Sequence, residues 1–162
     1  MRHTARALSA LLTITLLAAA NAQDPAIDWY GRVLAWERDY RAAYQQLFLQ
    51  YGMQGRVLGL AGVDTPVKDE LMRVSRAASD LWNEGLQILD NPPDLPAGSR
   101  AYIARQRMVQ AGSDGLFSMT HLAIRLQLEN MPKSELILLN TSLVQAFEIR
   151  DLWGQLYRLA ME

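Results

Sequence analysis

Residues 64–98 read DTPVKDELMRVSRAASDLWNEGLQILDNPPDLPAG. The stretch opens with an aspartate that can cap a helix and with proline in the first turn, which is a common helix start. Apolar residues then recur every three or four positions, at Val67, Leu71, Val74, Ala78, Leu81 and Ile88. This spacing puts them on one helical face. The three prolines near its end cannot continue a helix, so the stretch predicts an amphipathic helix followed by a loop.

Three more stretches have the same three-four spacing. The first begins at Asp24 and stops before Gly52, the second begins at Ser99, and the third runs from Pro132 to the C-terminus. No segment alternates apolar and polar residues between hairpin turns, so strands are not expected. The chain is therefore predicted to be all-α, an up-down-up-down four-helix bundle that forms a single domain over residues 23–162.

The last of these helices has a broad apolar face. Its members are Leu136, Leu139, Leu143, Phe147, Leu152, Leu156 and Leu159. Such a face is typical of a helix that packs against the core of a bundle. We therefore expect this helix to be deeply buried.

Residues 1–22 have the pattern of a signal peptide. Arg2 and Arg6 form a charged start, an uncharged apolar run extends from Ala7 to Ala20, and Ala20-Asn21-Ala22 matches a cleavage site. The apolar run is too short to span a bilayer as a helix. We predict that the leader is cleaved and that the mature chain is soluble, has no membrane span, and is periplasmic or secreted.

Charge and composition argue against several kinds of partner. Half of the 162 residues are apolar, a fifth are charged and none is cysteine. Loss of Arg2 and Arg6 with the leader leaves 14 of the 16 basic residues against 17 acidic ones, a net charge near minus three. No basic field is present to bind nucleic acid or an anionic membrane. The absence of cysteine excludes thiol catalysis and thiolate metal sites.

Histidine, on which many cofactor sites and hydrolytic triads depend, occurs once after the leader, as His121. A dimetal carboxylate site would need Glu-x-x-His on two helices, and neither that motif nor a G-x-S-x-G turn is present. His121 could be a lone haem or metal ligand, but an ordinary histidine at the flank of a helix is the preferred interpretation. The dispersed methionines are interpreted as core residues. We predict a protein that is not an enzyme and holds no cofactor and no metal.

Aromatic residues are concentrated in the first helix. They are Trp29, Tyr30, Trp36, Tyr40, Tyr44, Phe48 and Tyr51. Trp29 and Trp36 fall beside the stripe of tyrosines, so the band is wider than one core face needs. Aromatic residues are enriched at recognition surfaces, and we predict that Trp29, Trp36 and Tyr40 bind a partner protein. In the alternative, both tryptophans cover the ends of the bundle core.

Two charged residues interrupt apolar stripes, Glu37 in the first helix and Arg105 in the third. If these helices face each other, the two side chains can form a buried ion pair. Such a pair adds little net stability but can fix the register of two helices. The alternative is that both side chains reach the solvent along apolar stems.

The aromatic first helix and the glycine-rich turn after it resemble the helical, exported minor components of type IV secretion systems. The resemblance extends over that region alone and implies a part in a secretion apparatus. Without a nucleophile, metal cluster, phosphate loop or basic patch, we expect a non-enzymatic exported protein that acts by protein–protein interaction in the cell envelope. It would be a secretion-apparatus component, an adaptor or an inhibitor (immunity) protein. The alternative is a carrier of haem, another apolar ligand or a metal ion in the bundle interior.

Overall fold

The computed structural model describes residues 24–51, 56–57, 62–127 and 131–162. It contains four long helices, α1 Pro25–Tyr51, α2 Thr65–Asp90, α3 Arg100–Gln127 and α4 Lys133–Met161. Two short strands, β1 Arg56–Val57 and β2 Met131–Pro132, pair antiparallel and join the connector after α1 to the connector after α3. The predicted all-α class is confirmed over the described residues, which contain four helices, although the short β1–β2 pair was not expected. The predicted leader and most of the glycine-rich turn lie outside the described residues.

Local hydrogen bonds explain where the helices begin. The backbone N–H of Ala26 donates to Asp24 Oδ1 at 2.9 Å, and that of Tyr102 donates to Ser99 Oγ at 3.1 Å. These bonds satisfy donors that the first turn of a helix leaves without a partner. α2 starts after Asp64, with proline in its first turn. These starts agree with those predicted from the sequence.

Contacts between helices fix their levels, that is, their positions relative to one another along the helix axes. The indole N–H groups of Trp29 and Trp36 in α1 donate to the backbone carbonyls of Leu81 and Val74 in α2, at 2.8 and 2.9 Å. Residue numbers therefore rise along α1 as they fall along α2. Such long-range bonds also fix the rotation of α1, because both indoles must point at α2.

The same opposite order relates α3 and α4. A Cβ atom added at Gly112 would lie 3.2 Å from Arg150 Cδ, and one added at Gly115 would lie 2.8 Å from Phe147 Cδ1. The two glycines thus lie directly against side chains of α4, which their lack of a side chain permits. Residue numbers therefore rise along α3 as they fall along α4.

The core lies among the four helices. The six apolar residues of the α2 stripe are all buried. α1 and α3 contribute further buried residues, among them Val33, Tyr44, Met108, Val109, Leu116, Met119, Leu122 and Leu126. None of the described helices has an apolar stretch sufficient to traverse a bilayer.

The prediction that the leucine face of α4 is deeply buried is wrong in its second half. Leu136 and Phe147 are buried, as expected. Leu152, Leu156 and Leu159, in contrast, are 57%, 42% and 66% exposed. The C-terminal half of α4 therefore turns its leucines away from the core.

The buried face of α4 continues instead through Arg150, Gly154 and Tyr157. These residues keep the three-four spacing of a single helical face. Arg150 can be buried because its guanidinium pairs with Glu37 of α1 at 2.7 Å. Gly154 leaves room for Tyr30, whose Cζ would lie 3.0 Å from an added Cβ. The contacts of an arginine and a glycine thus decide which side of α4 faces the core.

Candidate protein-binding face

The three aromatic residues predicted to bind a partner are buried. Trp29, Trp36 and Tyr40 expose 0%, 5% and 4% of their surface. Both indole N–H groups are bonded to α2, and the Tyr40 hydroxyl donates to Asn140 Oδ1 of α4 at 2.6 Å. The prediction requires these three side chains to be exposed, and their burial contradicts it. The alternative, in which the tryptophans cover the core, agrees with their burial.

Glycines in two other helices explain the burial of Trp29. A Cβ atom at Gly85 of α2 would lie 2.9 Å from Trp29 Cζ2, and one at Gly112 of α3 would lie 2.6 Å from Cη2. The ring fills the space that these glycines leave. Trp36 stacks on Tyr40, with ring centroids 5.4 Å apart. The aromatic band of α1 is wide because this helix contacts all three of the others.

The predicted ion pair between Glu37 and Arg105 is wrong, although both side chains are buried. Glu37 Oε2 accepts from Arg150 Nη2 at 2.7 Å, and Oε1 accepts from Arg41 Nη2 at 2.6 Å. Arg105 binds Asp24, with Nε 2.8 Å from Oδ2 and Nη2 3.2 Å from Oδ1. Glu37 and Arg105 are thus both paired, but with different residues at two separate points along α1.

The levels of the helices explain this difference. Arg105, near the start of α3, binds Asp24 at the start of α1, so these two helices begin at the same end of the molecule. Glu37 lies about 20 Å farther along α1, at 1.5 Å per residue. An arginine side chain cannot cover that distance. Arg150 lies on α4 at the level of Glu37 and is its partner instead.

Asp24 connects α1 to both α3 and α4. Its carboxylate accepts from the hydroxyl of the buried Tyr157 as well as from Arg105. Burial opposes ionisation of Asp24, but the hydrogen bonds from Arg105, Tyr157 and the Ala26 N–H outweigh it and lower the pKa of the carboxyl. Burial, and then the bond to Asp24, raise the pKa of the Tyr157 hydroxyl. At neutral pH the aspartate is therefore ionised and the tyrosine protonated, as this bond requires.

A stripe of exposed apolar side chains runs along the outer side of α4. Ile149, Leu152, Leu156 and Leu159 each expose at least 42% of their surface. Their spacing of three or four residues keeps them on one side of the helix. Ile103 of α3 is exposed to a similar degree and lines the same cleft as Leu156 and Leu159. These five residues are called the apolar face below.

Two clefts between α3 and α4 cross the apolar face. The first has a volume of about 310 Å³. Its apolar lining consists of Ile103, Ala104, Trp153, Leu156, Leu159 and Ala160, with Arg100 at the edge. The two helices thus form an open, largely apolar groove, and not a closed chamber.

The second cleft continues the groove and shares Ile103 and Trp153 with the first. Its volume is about 510 Å³, and its edge carries Arg107 and Asp114, which are both exposed. Asp114 accepts a hydrogen bond from Gln110 at 2.8 Å. Neither charged side chain forms an ion pair with a residue that the structure describes. The second cleft therefore combines apolar side chains with Ser142, Gln145 and one unpaired charge of each sign, and Arg100 adds a further cation, also unpaired within the described residues, at the first cleft.

The other candidates for a site are clusters of metal-binding side chains, His121 and the interior of the bundle. Within the described ranges, no three histidine, aspartate or glutamate side chains are grouped so that they could hold a metal ion. His121 is exposed and stacks on Phe117, with ring centroids 6.5 Å apart. Between Gly85 and Gly112, the interior of the bundle is filled by the Trp29 ring.

The sequence does contain a signal for the apolar face. Besides the core-facing residues Leu136, Leu139, Leu143 and Phe147, α4 has apolar residues at Ile137, Leu138 and Ile149, on other sides of the helix. A bundle helix buries one stripe, so a helix that is apolar on more than one side must expose part of that surface. The number of apolar residues in α4 beyond those of one buried stripe indicates an exposed apolar face, but it does not show which residues form that face.

Comparison of the chain with protein-family models, curated proteins and solved structures gives no match. The chain is thus defined by its own features, as an all-α protein whose described residues form four helices with an exposed apolar face. Its function has to be inferred from the chemistry of that face.

Proposed function

We propose that this chain is an exported, non-enzymatic protein that acts by protein–protein interaction in the cell envelope, with the apolar face as its binding surface. In this proposal the four helices alternate in direction, up-down-up-down, and residues 1–22 are a signal peptide removed on export to the periplasm or the medium. The role would be that of a secretion-apparatus component, an adaptor or an inhibitor.

The observation that carries the proposal is the clustering of five large apolar side chains on one side of the molecule. Single exposed leucines are common, but contiguous apolar patches mark sites of interaction. Burial of one leucine or isoleucine side chain contributes roughly 1.5–3 kcal/mol. The five side chains are 42–66% exposed, so each contributes about half of that, and together they offset much of the cost of association.

The shape of the surface favours a protein over a small ligand. Ile149 to Leu159 extends about 15 Å along α4, at 1.5 Å per residue. The groove is open along this length, and its first cleft has Arg100 as its one charged or polar residue. An open apolar groove between two helices is the kind of surface that receives the apolar side of another helix.

Crosslinking in living cells tests the proposal. A photoreactive amino acid replaces Leu156 in the apolar face or, as a control, Leu86, an exposed leucine of α2. We expect irradiation to give a protein adduct from position 156 and none from position 86. Equal adducts from both positions, adducts with lipid alone, or no adduct would contradict the proposed surface.

Recovery of the chain from fractionated cells tests export separately. We expect the N-terminus of the product in the envelope or the medium to be Gln23, because Ala20-Asn21-Ala22 matches a cleavage site. Mutation of Ala22 to a bulky residue should delay cleavage, while the same change at Ala18 should not. Recovery of the intact chain from the cytosol would refute the proposed location.

A further inference from the structure

The charges at the edge of the groove have no ionic partner within the described chain. Arg107 and Asp114 lie two helical turns apart on one side of α3, and both line the second cleft. The second cleft therefore offers a cation and an anion that a partner can pair, and Arg100 at the first cleft is a further cation that is unpaired within the described residues.

The level of these two charges relative to α4 follows from the helix contacts. Gly112 of α3 lies against Arg150 of α4, and numbers fall along one helix as they rise along the other. Gln110, near the midpoint between the two charges, therefore lies at about the level of Leu152. Leu152 is the exposed leucine nearest to that midpoint along α4.

We propose that the protein bound at the apolar face is a second copy of this chain, related to the first by a two-fold axis that passes near Gln110 and Leu152. The inference rests on the proposed function, because it assumes that the apolar face binds protein. Rotation by 180° about this axis places Arg107 of each copy opposite Asp114 of the other. It also places Leu152 beside its symmetry mate.

Charge complementarity selects this partner over others. In a two-fold interface residue i meets residue j and residue j meets residue i, so a surface with one cation and one anion two turns apart can pair with itself. A uniformly acidic helix would bring like charge to Asp114, and a uniformly basic helix would do the same at Arg107. Like charges placed opposite each other disfavour a complex. A second copy satisfies both residues with side chains already present.

Leu152 gives the first test. The chain is expressed from its full-length gene, purified in the form that the cell delivers, and examined by sedimentation equilibrium over about 1–100 µM, a range that detects micromolar dissociation constants. We expect twice the mass of one chain at the upper end. Leu152→Glu should reduce the mass to that of one chain, because two carboxylates would meet near the axis. Leu86→Glu on α2 is the matched control and should leave the dimer intact.

Charge exchange gives the second test. Arg107→Asp and Asp114→Arg should each weaken dimerisation by about tenfold or more, because symmetry makes every substitution act twice. The double variant restores opposite charges across the axis and should recover the wild-type dissociation constant to within about threefold. Circular dichroism of each variant checks that the helices remain folded.

Three results would overturn the inference. These are a single-chain mass at every concentration, a dimer that Leu152→Glu does not affect, and a double variant as weak as the single ones. The crosslinking experiment separates this failure from failure of the proposed function. An adduct of a different protein at position 156 would retain the binding surface and reject the second copy, whereas loss of all protein adducts would reject the surface itself.

Discussion

The aromatic side of α1 and the leucine stripe of α4 are both rich in large apolar side chains, yet one is buried and the other is exposed. Trp29, Trp36 and Tyr40 lie inside the molecule, and Leu152 and Leu159 lie on its surface. Sequence patterns predict the reverse, because the aromatic band looks too wide for a core and the leucines look ideal for one. The difference teaches that the burial of a side chain depends on what the facing helices provide.

For α1, the facing helices provide space and hydrogen-bond acceptors. Gly85 and Gly112 leave room for the Trp29 ring, and backbone carbonyls of α2 accept from both indoles. For α4, Glu37 provides a buried carboxylate, which holds Arg150 inside. Once Arg150 faces the core, the stripe that contains Leu152 must face outward.

The largest effect is expected from truncation of Trp29. Trp29→Ala should lower the free energy of unfolding by about 3–5 kcal/mol, because it opens a cavity between three helices. Urea unfolding followed by circular dichroism measures the change. Leu159→Ala on the exposed stripe should change stability by at most about 0.5 kcal/mol, at a protein concentration low enough that the apolar face is free. Similar losses in both variants would abolish the distinction between the two regions.

The second largest loss of stability is expected from removal of the Arg150 charge. Arg150→Met leaves the buried Glu37 with Arg41 as its remaining ionic partner, and breaking a buried ion pair from one side typically costs about 3–5 kcal/mol. We expect the low end of that range, because Arg41 stays in place. Arg158→Met, also on α4 but exposed, loses a contact with the Tyr30 ring and should cost at most about 1 kcal/mol. A stable Arg150→Met variant would mean that another interaction sets the rotation of α4.

Two glycine substitutions should have opposite signs. Gly112→Ala places a methyl group 2.6 Å from the Trp29 ring and should destabilise the fold by about 1–3 kcal/mol through overpacking. Gly31→Ala on the exposed side of α1 meets nothing within 4 Å and should stabilise by about 1 kcal/mol through helix propensity. Thermal unfolding midpoints report both. If Gly112→Ala were also stabilising, the packing of the Trp29 ring would not depend on the space that Gly112 leaves.

The smallest effect concerns acid stability. The folded state lowers the pKa of Asp24 below its usual value of 3.8, so its contribution is complete above pH 3.8 and is lost as the pH falls through the lower folded value. Asp24→Asn should therefore reduce the loss of stability below pH 3.8, measured as urea midpoints against pH. Asp28→Asn is the control, because this exposed residue of α1 forms its ion pair with Arg32 and, within the described residues, with no other side chain. Equal pH profiles for wild type and Asp24→Asn would contradict the role of the Arg105 and Tyr157 bonds.

The bounds of the helices could be predicted from the sequence because the signals are local. Asp24, Asp64 and Ser99 each stand beside a predicted and observed helix start, and the α2 stripe is buried as its spacing indicated. Glu37 and Arg105 each interrupt an apolar stripe, and their burial agrees with the interpretation as buried charges and not with the alternative in which both reach the solvent. Their partners were not recognised, since Arg150 and Asp24 carry no local mark of burial.

The three residues predicted to bind a partner, Trp29, Trp36 and Tyr40, are buried for a similar reason. The spacing of residues within one helix shows which side chains share a face, but it does not show towards which neighbour that face is turned. The apolar face depends on the rotation of α4, and that rotation depends on Arg150, Gly154 and their contacts with α1. No pattern confined to α4 contains this information.

By itself, the sequence determined that the chain forms four helices, where three of them begin, and which stripe of α2 enters the core. It could do so because caps, prolines and apolar spacing act over a few residues. Only the tertiary structure decided that the tryptophans of α1 are buried, that Glu37 pairs with Arg150, and that the C-terminal leucines of α4 face outward. These outcomes depend on the levels and rotations of helices relative to one another, which are set by contacts between residues far apart in the chain.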